Sequence, residues 1–397
     1  MSEATLQDAG SPTSLPRVQS SSPDATSATD PDDWTRLDTP ALLVDLDRLE
    51  RNLGRMSDHA ARNGLALRPH FKTHKSVAIA RRQLEAGAVG ITVAKLDEAE
   101  ALVDAGVDAS ILLAYQVVAA PKLDRAIALA ARGRLALAVD GVEGARRLDT
   151  AARNAGLRLE VWIEIDSGLQ RCGVPPAGAP GLARALATLD GVHLGGMFTH
   201  AGQSYAAHDV AEVEAIANAE AAAVIDAASA TRAIGIEVPV VSAGSTPTAR
   251  FLVGDGGLTE MRPGTYVFYD ALQVALGSAT AEDCALTVAT TVVSRPTAER
   301  AVIDAGSKTL GLDRGAHSSS LLTDFGSLVG VPGRLVRLSE EHGILEIPAD
   351  SPLAVGDRIR VVPNHVCSVT NLGRLFHGHR DGIVEEVMTI DAAGGVH

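Results

Sequence analysis

The chain has 397 residues, a formal net charge of −14, 46% hydrophobic residues and 21% charged residues. This length indicates two domains or one large barrel with an appendage, and the composition excludes an intrinsically disordered protein. The acidic balance disfavours nucleic acid as a partner, and no apolar run reaches the roughly 20 residues that cross a bilayer. No signal-peptide pattern begins the chain, and three cysteines cannot form a disulfide framework, so the sequence favours a cytoplasmic protein.

Three regions follow one another along the chain. Residues 1–33 are rich in Ser, Thr, Pro and Asp and lack apolar periodicity, which predicts a disordered tail. Residues 34–278 begin with ALLVDLDRL, a strand that runs into a helix, and then alternate short apolar strands with Ala-rich helices. Seven or eight such repeats predict a closed (β/α)₈ barrel, with an open doubly wound sheet as the alternative. Residues 279–397 are strand-like with little helix and predict a β-rich second domain.

The barrel region contains seven segments with the apolar content of strands and five with the composition of helices. The predicted strands are ALRPHF, VGITVA, SILLAYQV, RLALAVD, RLEVWIEID, HLGGMFTH and EVPVVSAG. The predicted helices include Ala78 to Ala86, Asp97 to Ala105, Pro121 to Ala131, Val142 to Ala155 and Asp209 to Ala230.

A basic cluster, Arg68-Pro-His-Phe-Lys-Thr-His-Lys75, follows the first of these strands. The carboxyl ends of barrel strands are where such folds hold catalytic groups. A lysine becomes a nucleophile toward carbonyl groups when burial or nearby cations lower its pKa. Arg68, His70, His74 and Lys75 are the predicted cations. A solvated basic turn is the alternative, and composition alone favours neither.

Two further loops offer groups that bind anions. The segment from Glu164 to Gly173, EIDSGLQRCG, closes a strand and places Arg171 where it can donate to a ring nitrogen or an anion. SAGSTPT and the later RPGTY are rich in small and hydroxyl residues that can cradle a phosphate with backbone N–H groups. Ordinary turns explain each loop taken alone, and neither contains a Walker or dinucleotide fingerprint.

The segment Pro363-Asn-His-Val-Cys-Ser368 follows the predicted strand IRVVP. If it is extended, His365 and Cys367 point to the same face and can share one metal ion. Imidazole with thiolate suits Zn²⁺ better than Mg²⁺ or Ca²⁺. The alternative is a buried cysteine beside a surface histidine, because a bare H-x-C is common.

Taken in order, nine segments resemble the D-serine dehydratase and D-threonine aldolase family. They are LDTPALLVDLDRL, RPHFKTHKS, EIDSGLQRCGV, THAGQSY, SAGSTPT, RPGTYVFYD, VIDAGSKTL, SEEHG and VVPNHVCS. This family comprises fold-type III pyridoxal phosphate enzymes with an alanine-racemase-like barrel. The resemblance runs from about Asp38 to near residue 390 and leaves only the tail outside.

The resemblance implies a role for individual residues and for the assembly. It implies a Schiff base between pyridoxal phosphate and Lys72, with Arg171 facing the pyridine nitrogen and Tyr205 beside the cofactor. Thr246, Gly264 and Thr265 match phosphate-binding segments, and His365 with Cys367 match the metal-ligand pair. The family's β domain is often completed by a second subunit, so the resemblance implies a homodimer.

The resemblance also implies a reaction on D-amino acids that carry a β-hydroxyl group. Dehydratases of D-serine or D-threo-3-hydroxyaspartate typically have H-x-C at the metal motif, whereas the aldolases usually have H-x-D. This chain has H-x-C, which implies elimination to a 2-oxo acid and ammonia. The following TNL is reminiscent of the aldolases, so cleavage to glycine and an aldehyde is the alternative. A racemase needs no metal pair, and a non-catalytic pyridoxal phosphate carrier lacks a β domain. The resemblance implies a divalent metal, with zinc favoured and manganese as the alternative.

Overall fold

The computed structural model describes residues 33–316 and 319–397. The predicted disordered tail, residues 1–33, therefore lies outside the described residues except for Asp33, which forms a β-bridge with Ile383. None of the described helices has the length and apolar content of a membrane span.

Strands and helices alternate through the first two thirds of the chain, and strands dominate afterwards. The strands are β1 (Ala41–Asp45), β2 (Ala66–Leu67), β3 (Gly90–Val93), β4 (Ser110–Gln116), β5 (Leu135–Val139), β6 (Leu159–Ile165), β7 (Val192–Thr199), β8 (Val240–Ala243), β9 (Glu260–Met261), β10 (Leu286–Thr297), β11 (Arg300–Ile303), β12 (Gly326–Val329), β13 (Arg334–Leu338), β14 (Gly343–Glu346), β15 (Arg358–Pro363), β16 (Leu375–Arg380) and β17 (Ile383–Thr389). The α-helices are α1 (Leu46–Arg62), α2 (Val77–Glu85), α3 (Leu96–Asp104), α4 (Ala120–Ala130), α5 (Val142–Asn154), α6 (Ala179–Leu186), α7 (Val210–Ala233), α8 (Thr246–Ala249), α9 (Ala271–Ala275), α10 (Ser307–Leu310) and α11 (Val366–Leu372). Short 3₁₀ helices lie at Trp34–Arg36, Phe71–Thr73, Pro176–Gly178, Gly202–Ala206, Asp255–Gly257, Thr265–Val267 and Ala281–Asp283.

Eight parallel strands form the predicted barrel, in the order β2-β9-β8-β7-β6-β5-β4-β3. The two ends of this sheet meet, because Val89 N donates to Leu67 O at 2.9 Å and Thr92 N donates to Pro69 O at 2.8 Å. An open doubly wound sheet has no such closure. The barrel prediction is therefore confirmed, and the alternative is wrong.

Continuous apolar runs explain why these strands form the inner layer. Every residue of β5, LALAV, is buried, as expected for a parallel strand that is covered by side chains inside and by helices outside. The five predicted helices appear as α2, α3, α4, α5 and α7, with ends within three residues of those predicted. Two-residue strand β9 was not predicted, because EM is too short to show any periodicity.

The β-rich second region forms a mixed sheet with the strand order β13-β14-β11-β10-β1-β16-β17, in which β15 joins β10 to β12. Strand β1 pairs antiparallel with β10 and parallel with β16. The sequence placed this strand with the barrel at residues 34–278, whereas the structure pairs it with strands that lie about 240 residues or more further along the chain. A strand followed by a helix is indistinguishable from a βα unit until its partners are known.

The mixed sheet positions one helix against the mouth of the barrel. Helix α11 follows β15 and contacts the 3₁₀ helix Phe71–Thr73, which follows β2. The carboxyl edge of the barrel therefore faces side chains that the second region supplies.

Candidate active site

A cavity of about 590 Å³ lies where the mouth of the barrel meets α11. Its barrel side consists of residues that follow strands β2, β7, β8 and β9, and its other side comes from the second region. The lining residues are His70, Lys72, Thr73, His200, Tyr205, Ser245, Arg262, Gly264, Thr265, Asp313, Gly315, Ala316, His365 and Cys367. Lysine, histidine, cysteine and arginine thus converge at the edge where such barrels carry their active sites.

A second cavity of about 300 Å³ adjoins the first through His70, Lys72, His200 and Arg262. It extends over the ends of β3, β4 and β6, and Glu164 and Arg171 line it. Another groove, of about 600 Å³, runs between α4 and α5 on the outside of the barrel, but its lining contains no lysine, histidine or cysteine. The two cavities at the mouth of the barrel, unlike the outer groove, therefore contain the lysine, histidine and cysteine side chains that can act in catalysis.

Lys72 lies in the 3₁₀ helix after β2, where the fully buried Phe71 anchors the segment and His70 Nδ1 accepts Lys72 N at 3.4 Å. Burial is the main cause that lowers the pKa of Lys72, and the guanidinium groups of Arg171 and Arg262 lower it further. Cys367 and Glu98 act in the opposite direction. The lowered pKa increases the fraction of neutral, nucleophilic amine.

The prediction that Arg68, His70, His74 and Lys75 supply the cations beside Lys72 is wrong. Arg68 forms a buried ion pair with Glu260 at 2.8 Å, and Lys75 donates to Asn371 and to Gly395 O. Burial lowers the pKa of His74 to about 3 and that of His70 well below its usual value. These imidazoles are neutral. The cations that act on Lys72 come instead from the ends of β6 and β9.

Arg171 lies on the loop after β6, with Nη2 3.8 Å from Glu164 Oε1. The loop turns at Gly173, where φ is +102° and an added Cβ would lie 2.7 Å from Asp166 N, so only glycine fits. Burial raises the pKa of Glu164, although a hydrogen bond from Gln116 and the charge of Arg171 oppose this effect. Gly173 makes this loop tight, and the loop brings Arg171 into the smaller cavity.

Hydroxyl groups and a glycine form the end of the larger cavity next to β8 and β9. Thr246 does not line this cavity; its Oγ1 accepts the N–H groups of Gly264 at 3.2 Å and Tyr266 at 3.1 Å. Ser245, Gly264 and Thr265 line it instead. Thr246 thereby joins the two predicted phosphate-binding segments.

Tyr205 closes the same end of the cavity. Its hydroxyl lies 3.4 Å from Thr265 Oγ1, and burial raises the pKa of this phenol, so it keeps its proton at neutral pH. A Cβ at Gly264 would lie 2.8 Å from Thr73 Oγ1, so glycine allows the loop after β9 to approach the segment that carries Lys72.

His365 and Cys367 meet in the larger cavity, but not because their segment is extended. His365, the N-cap of α11, is extended as predicted, but Cys367 lies in the first helical turn, so the prediction of an extended segment through Cys367 is wrong. Both side chains nevertheless line the larger cavity, close enough that each shifts the pKa of the other. Burial alone would raise the pKa of Cys367, but His365, Lys72 and Thr73 together lower it below its usual value.

The surroundings of this pair fix its orientation. His365 Nδ1 lies 2.9 Å from Asp313 Oδ2, and Ser368 Oγ donates to the same oxygen. Burial alone would lower the pKa of His365, but Cys367 and Asp313 raise it to about 10. Cys367 Sγ donates to Thr73 Oγ1 at 3.5 Å, beside Lys72. Among the described residues no group of three His, Cys, Asp or Glu side chains has the arrangement of a metal site. A cation here would take further ligands from water or substrate.

The donors around the two cavities fit pyridoxal phosphate and a divalent cation. Lys72 supplies an amine of lowered pKa, and Ser245, Thr265 and the backbone of Gly264 lie together as a phosphate-binding set would. Imidazole and a thiol of lowered pKa are the ligand pair that zinc and similar metals accept.

Comparison with known proteins decides the family. The alanine racemase N-terminal domain matches residues 44–271, and the serine dehydratase domain matches residues 285–378. The chain belongs to the fold-type III pyridoxal phosphate family that joins these two domains. D-threo-3-hydroxyaspartate dehydratase of Delftia sp. (strain HT23) is 41% identical over 350 residues, which are 84% of this chain and 91% of that protein.

Two further comparisons concern a relative with a different activity and the solved structure of the Delftia enzyme. D-threonine aldolase of Arthrobacter sp is 32% identical over 368 residues, which are 91% of this chain and 94% of that enzyme. The solved structure of the Delftia dehydratase has a TM-score of 0.84 with 38% identity, and the match covers 90% of this chain and 98% of that one. Pyridoxal phosphate-dependent lyases of both kinds therefore share this fold and both domains.

The structure adds site residues of this family member that sequence reasoning did not single out. His200 and Arg262 line both cavities, and Ser245 and Asp313 line the larger one. His200 lies in THAGQSY and Arg262 begins RPGTYVFYD, and both motifs follow strands. Their position at strand ends could therefore have indicated a place in the site. Asp313 lies in GLDRG, which has no distinctive pattern, and only its contact with His365 reveals it.

Proposed function

We propose that this chain is a pyridoxal phosphate- and metal-dependent lyase that eliminates water from β-hydroxy D-amino acids, with D-serine or D-threo-3-hydroxyaspartate as substrate. The products are a 2-oxo acid and ammonia. One observation carries the proposal: the cavity of about 590 Å³ is lined by Lys72 on one side and by His365 and Cys367 on the other. An amino acid held by its α-amine near Lys72 has its β-substituent within the same space as the metal-binding pair.

Lys72 would hold the cofactor through its amine, and residues from four strand ends would surround it. Arg171 would face the pyridine nitrogen and Tyr205 would lie beside the ring. The phosphate would lie at Thr246, Gly264 and Thr265, with Ser245 lining the same end of the cavity. Bound pyridoxal phosphate supplies an electron sink for the electrons released at Cα.

His365 and Cys367 would hold the divalent cation, with zinc as the metal that suits them best and manganese as the alternative. A solved variant of D-threo-3-hydroxyaspartate dehydratase in which a cysteine is replaced by alanine is described as the metal-free form. A cation held there would supply Lewis-acid chemistry toward the β-hydroxyl group of the substrate. Asp313 keeps His365 oriented by bonding its Nδ1.

Lys72 would also act on the proton at Cα of the substrate. Its neutral amine would accept this proton as a general base. Burial lowers the pKa of Lys72 and so increases the fraction of neutral amine at a given pH. Tyr205 keeps its proton and can donate a hydrogen bond without competing as a base.

Retro-aldol cleavage to glycine and an aldehyde is the second candidate, because relatives at about one third identity include D-threonine aldolase. Incubating the purified protein with D-serine, D-threonine and D-threo-3-hydroxyaspartate, with and without EDTA, separates the two. A 2-oxo acid with ammonia, lost on chelation, supports elimination. Glycine with an aldehyde would replace the dehydratase by the aldolase. Cofactor binding without any product would leave only a carrier.

We also propose that the enzyme is a cytoplasmic homodimer. All three cysteines are free thiols, which suits a reducing compartment. Exposed apolar residues line the β16–β17 hairpin, where Leu375, Ile383 and Val387 face outward and a second subunit would cover them. Light scattering on the purified protein tests the dimer, and a monomer at micromolar concentration contradicts it.

A further inference from the structure

Lys75 is a buried lysine whose ammonium group is almost completely surrounded. The residue is 5% exposed and has φ of +51°, a left-handed conformation that is unfavourable for a residue other than glycine. Its Nζ donates to Asn371 Oδ1 at 2.6 Å and to Gly395 O at 2.8 Å, and it lies 3.6 Å from Glu98 Oε1. A buried charge with a strained backbone persists only where surrounding contacts require it.

The partners of Lys75 belong to separate parts of the active site. Asn371 lies on α11 four residues after Cys367, so both occupy the same face of this helix. Glu98 lies on α3 and accepts the N–H group of Ala94, which lines the smaller cavity. Lys75 itself follows Lys72 by three residues. One ammonium group thus joins the segment of the cofactor amine to the helix of the metal pair.

Among the described residues, the other side-chain hydrogen bond between the Lys72 segment and α11 joins Cys367 to Thr73, and Asp270 holds the start of α11 from a different part of the barrel by accepting Val366 N. Cys367 Sγ reaches Thr73 Oγ1 only at 3.5 Å, which is a weak bond because sulfur is a poor donor. The bond from Lys75 to Asn371 is short and charge-assisted, a class about twice as strong as neutral hydrogen bonds. The carboxyl-terminal segment reinforces the junction, because Ala392 N donates to Lys75 O at 3.1 Å.

We infer that Lys75 and Asn371 are positioning residues that set the separation between Lys72 and the metal-binding pair His365 and Cys367. This inference rests on the proposed function, since it assigns the junction a purpose in metal binding. Neither residue lines either of the two cavities. Loss of their bond allows α11 to shift relative to the barrel, so the metal pair loses its orientation while the cofactor cradle of β8 and β9 remains.

Cobalt binding to the metal-free protein tests the inference without turnover. Thiolate coordination of Co²⁺ gives a visible charge-transfer band, which reports both affinity and geometry at Cys367. The variants are Lys75→Gln and Asn371→Leu, which break the bond, and Asn371→Asp, which restores an acceptor for the ammonium group. Lys308→Gln is the matched control, because Lys308 lies on the adjacent α10 and pairs with Glu340 and Glu341 at 60% side-chain exposure.

The inference predicts about tenfold weaker Co²⁺ binding and a shifted band for Lys75→Gln and Asn371→Leu, the range for residues that orient metal ligands. Asn371→Asp should bind Co²⁺ within about threefold of the unsubstituted protein, as should Lys308→Gln. All four variants should retain the visible absorbance of bound pyridoxal phosphate. Asn371→Leu removes no charge, so it keeps the test valid if Lys75→Gln does not fold.

Unchanged Co²⁺ affinity and band in Asn371→Leu would overturn the inference, even if its thermal stability fell. Equal weakening in Asn371→Asp and Asn371→Leu would also overturn it, because the restored acceptor would then have no effect. Failure of the proposed function has a different signature. In that case the unsubstituted protein binds Co²⁺ with the predicted pattern among the variants but converts no β-hydroxy D-amino acid.

Discussion

The two sides of the active-site cavity are built by different means. On the barrel side, backbone N–H groups of the loops place the residues: Gly264 N and Tyr266 N donate to the side-chain oxygen Thr246 Oγ1, and His70 N donates to Pro263 O at 3.0 Å. On the other side, His365 and Cys367 begin the short helix α11. Side chains hold them, namely Asp313, Ser368, Thr73 and Asp270, whose Oδ2 accepts Val366 N at 3.1 Å.

This difference indicates that the cofactor and metal functions can be separated by mutation. Barrel strands are tied to both neighbours along their length, so a single side-chain change rarely moves them. Helix α11 has seven residues, and its position depends on each of the side chains that hold it.

The largest effect is expected from the barrel side. Lys72→Ala should lower kcat by at least about 10³-fold, because it removes both the cofactor's amine and the general base. It should also abolish the visible absorbance of bound cofactor, whereas Co²⁺ binding at His365 and Cys367 should persist. Spectra and steady-state kinetics measure these outcomes. Substantial activity in Lys72→Ala would contradict the assignment, and Lys308→Gln is the control.

On the helix side, we expect a substitution to remove the metal and to leave the cofactor bound. Cys367→Ala should lower kcat by about 10²-fold and remove the effect of EDTA, because the cation loses one of its two protein ligands. Cofactor absorbance should remain. Metal analysis of the purified protein measures the loss directly, with Cys284→Ala, a buried cysteine away from the cavity, as control. If Cys367→Ala kept its metal and its sensitivity to EDTA, the pair would not be the metal site.

A pH effect on stability should come from the buried network beside Lys72. His74 Nε2 lies 3.1 Å from Gln83 Oε1, and His74 Nδ1 accepts Ser76 N, so neither nitrogen can take another proton without losing a bond. Burial lowers the pKa of His74 to about 3, whereas the unfolded chain protonates near 6.5. Between these values the unfolded state binds the extra proton, so stability falls as the pH falls.

The corresponding measurement compares the free energy of unfolding at pH 6.5 and pH 5. The loss over this interval should be about 2 kcal/mol larger for the unsubstituted protein than for His74→Gln, which cannot be protonated. His193→Gln, at an exposed position, should behave like the unsubstituted protein. Equal losses in His74→Gln and the unsubstituted protein would show that His74 is not a buried neutral group.

The smallest effect is expected at the outer contact of the metal pair. Asp313→Asn should weaken metal binding by about tenfold, because the amide orients His365 less firmly than the carboxylate does. The side chain of Asp313 is 45% exposed, which limits the loss. Titration of the metal-free protein measures the affinity, with Asp324→Asn as control. A loss as large as that of Cys367→Ala would make Asp313 a direct ligand instead.

Much of the fold was predictable, because a barrel is built from local units. Apolar runs and Ala-rich helices identified seven strands and the main helices, and the closed order followed from their repetition. Strand β9 was missed because Glu260 and Met261 are too few to show a pattern. Strand β1 was assigned to the wrong sheet, because pairing with residues such as Ala289 and His377 leaves no trace in local periodicity.

The sequence by itself determined which residue types could perform the chemistry: the lysine of HFKTHK, the glycine and hydroxyl loops after strands, and the H-x-C motif. Only the tertiary structure decided that burial lowers the pKa of Lys72, and that Arg171 and Arg262 lower it further rather than its neighbours in its own motif. It alone also joined Asp313 to His365 and Lys75 to Asn371. The physical reason is that electrostatics and hydrogen bonding act over a few ångströms in space, and residues far apart in the chain reach that distance only after folding.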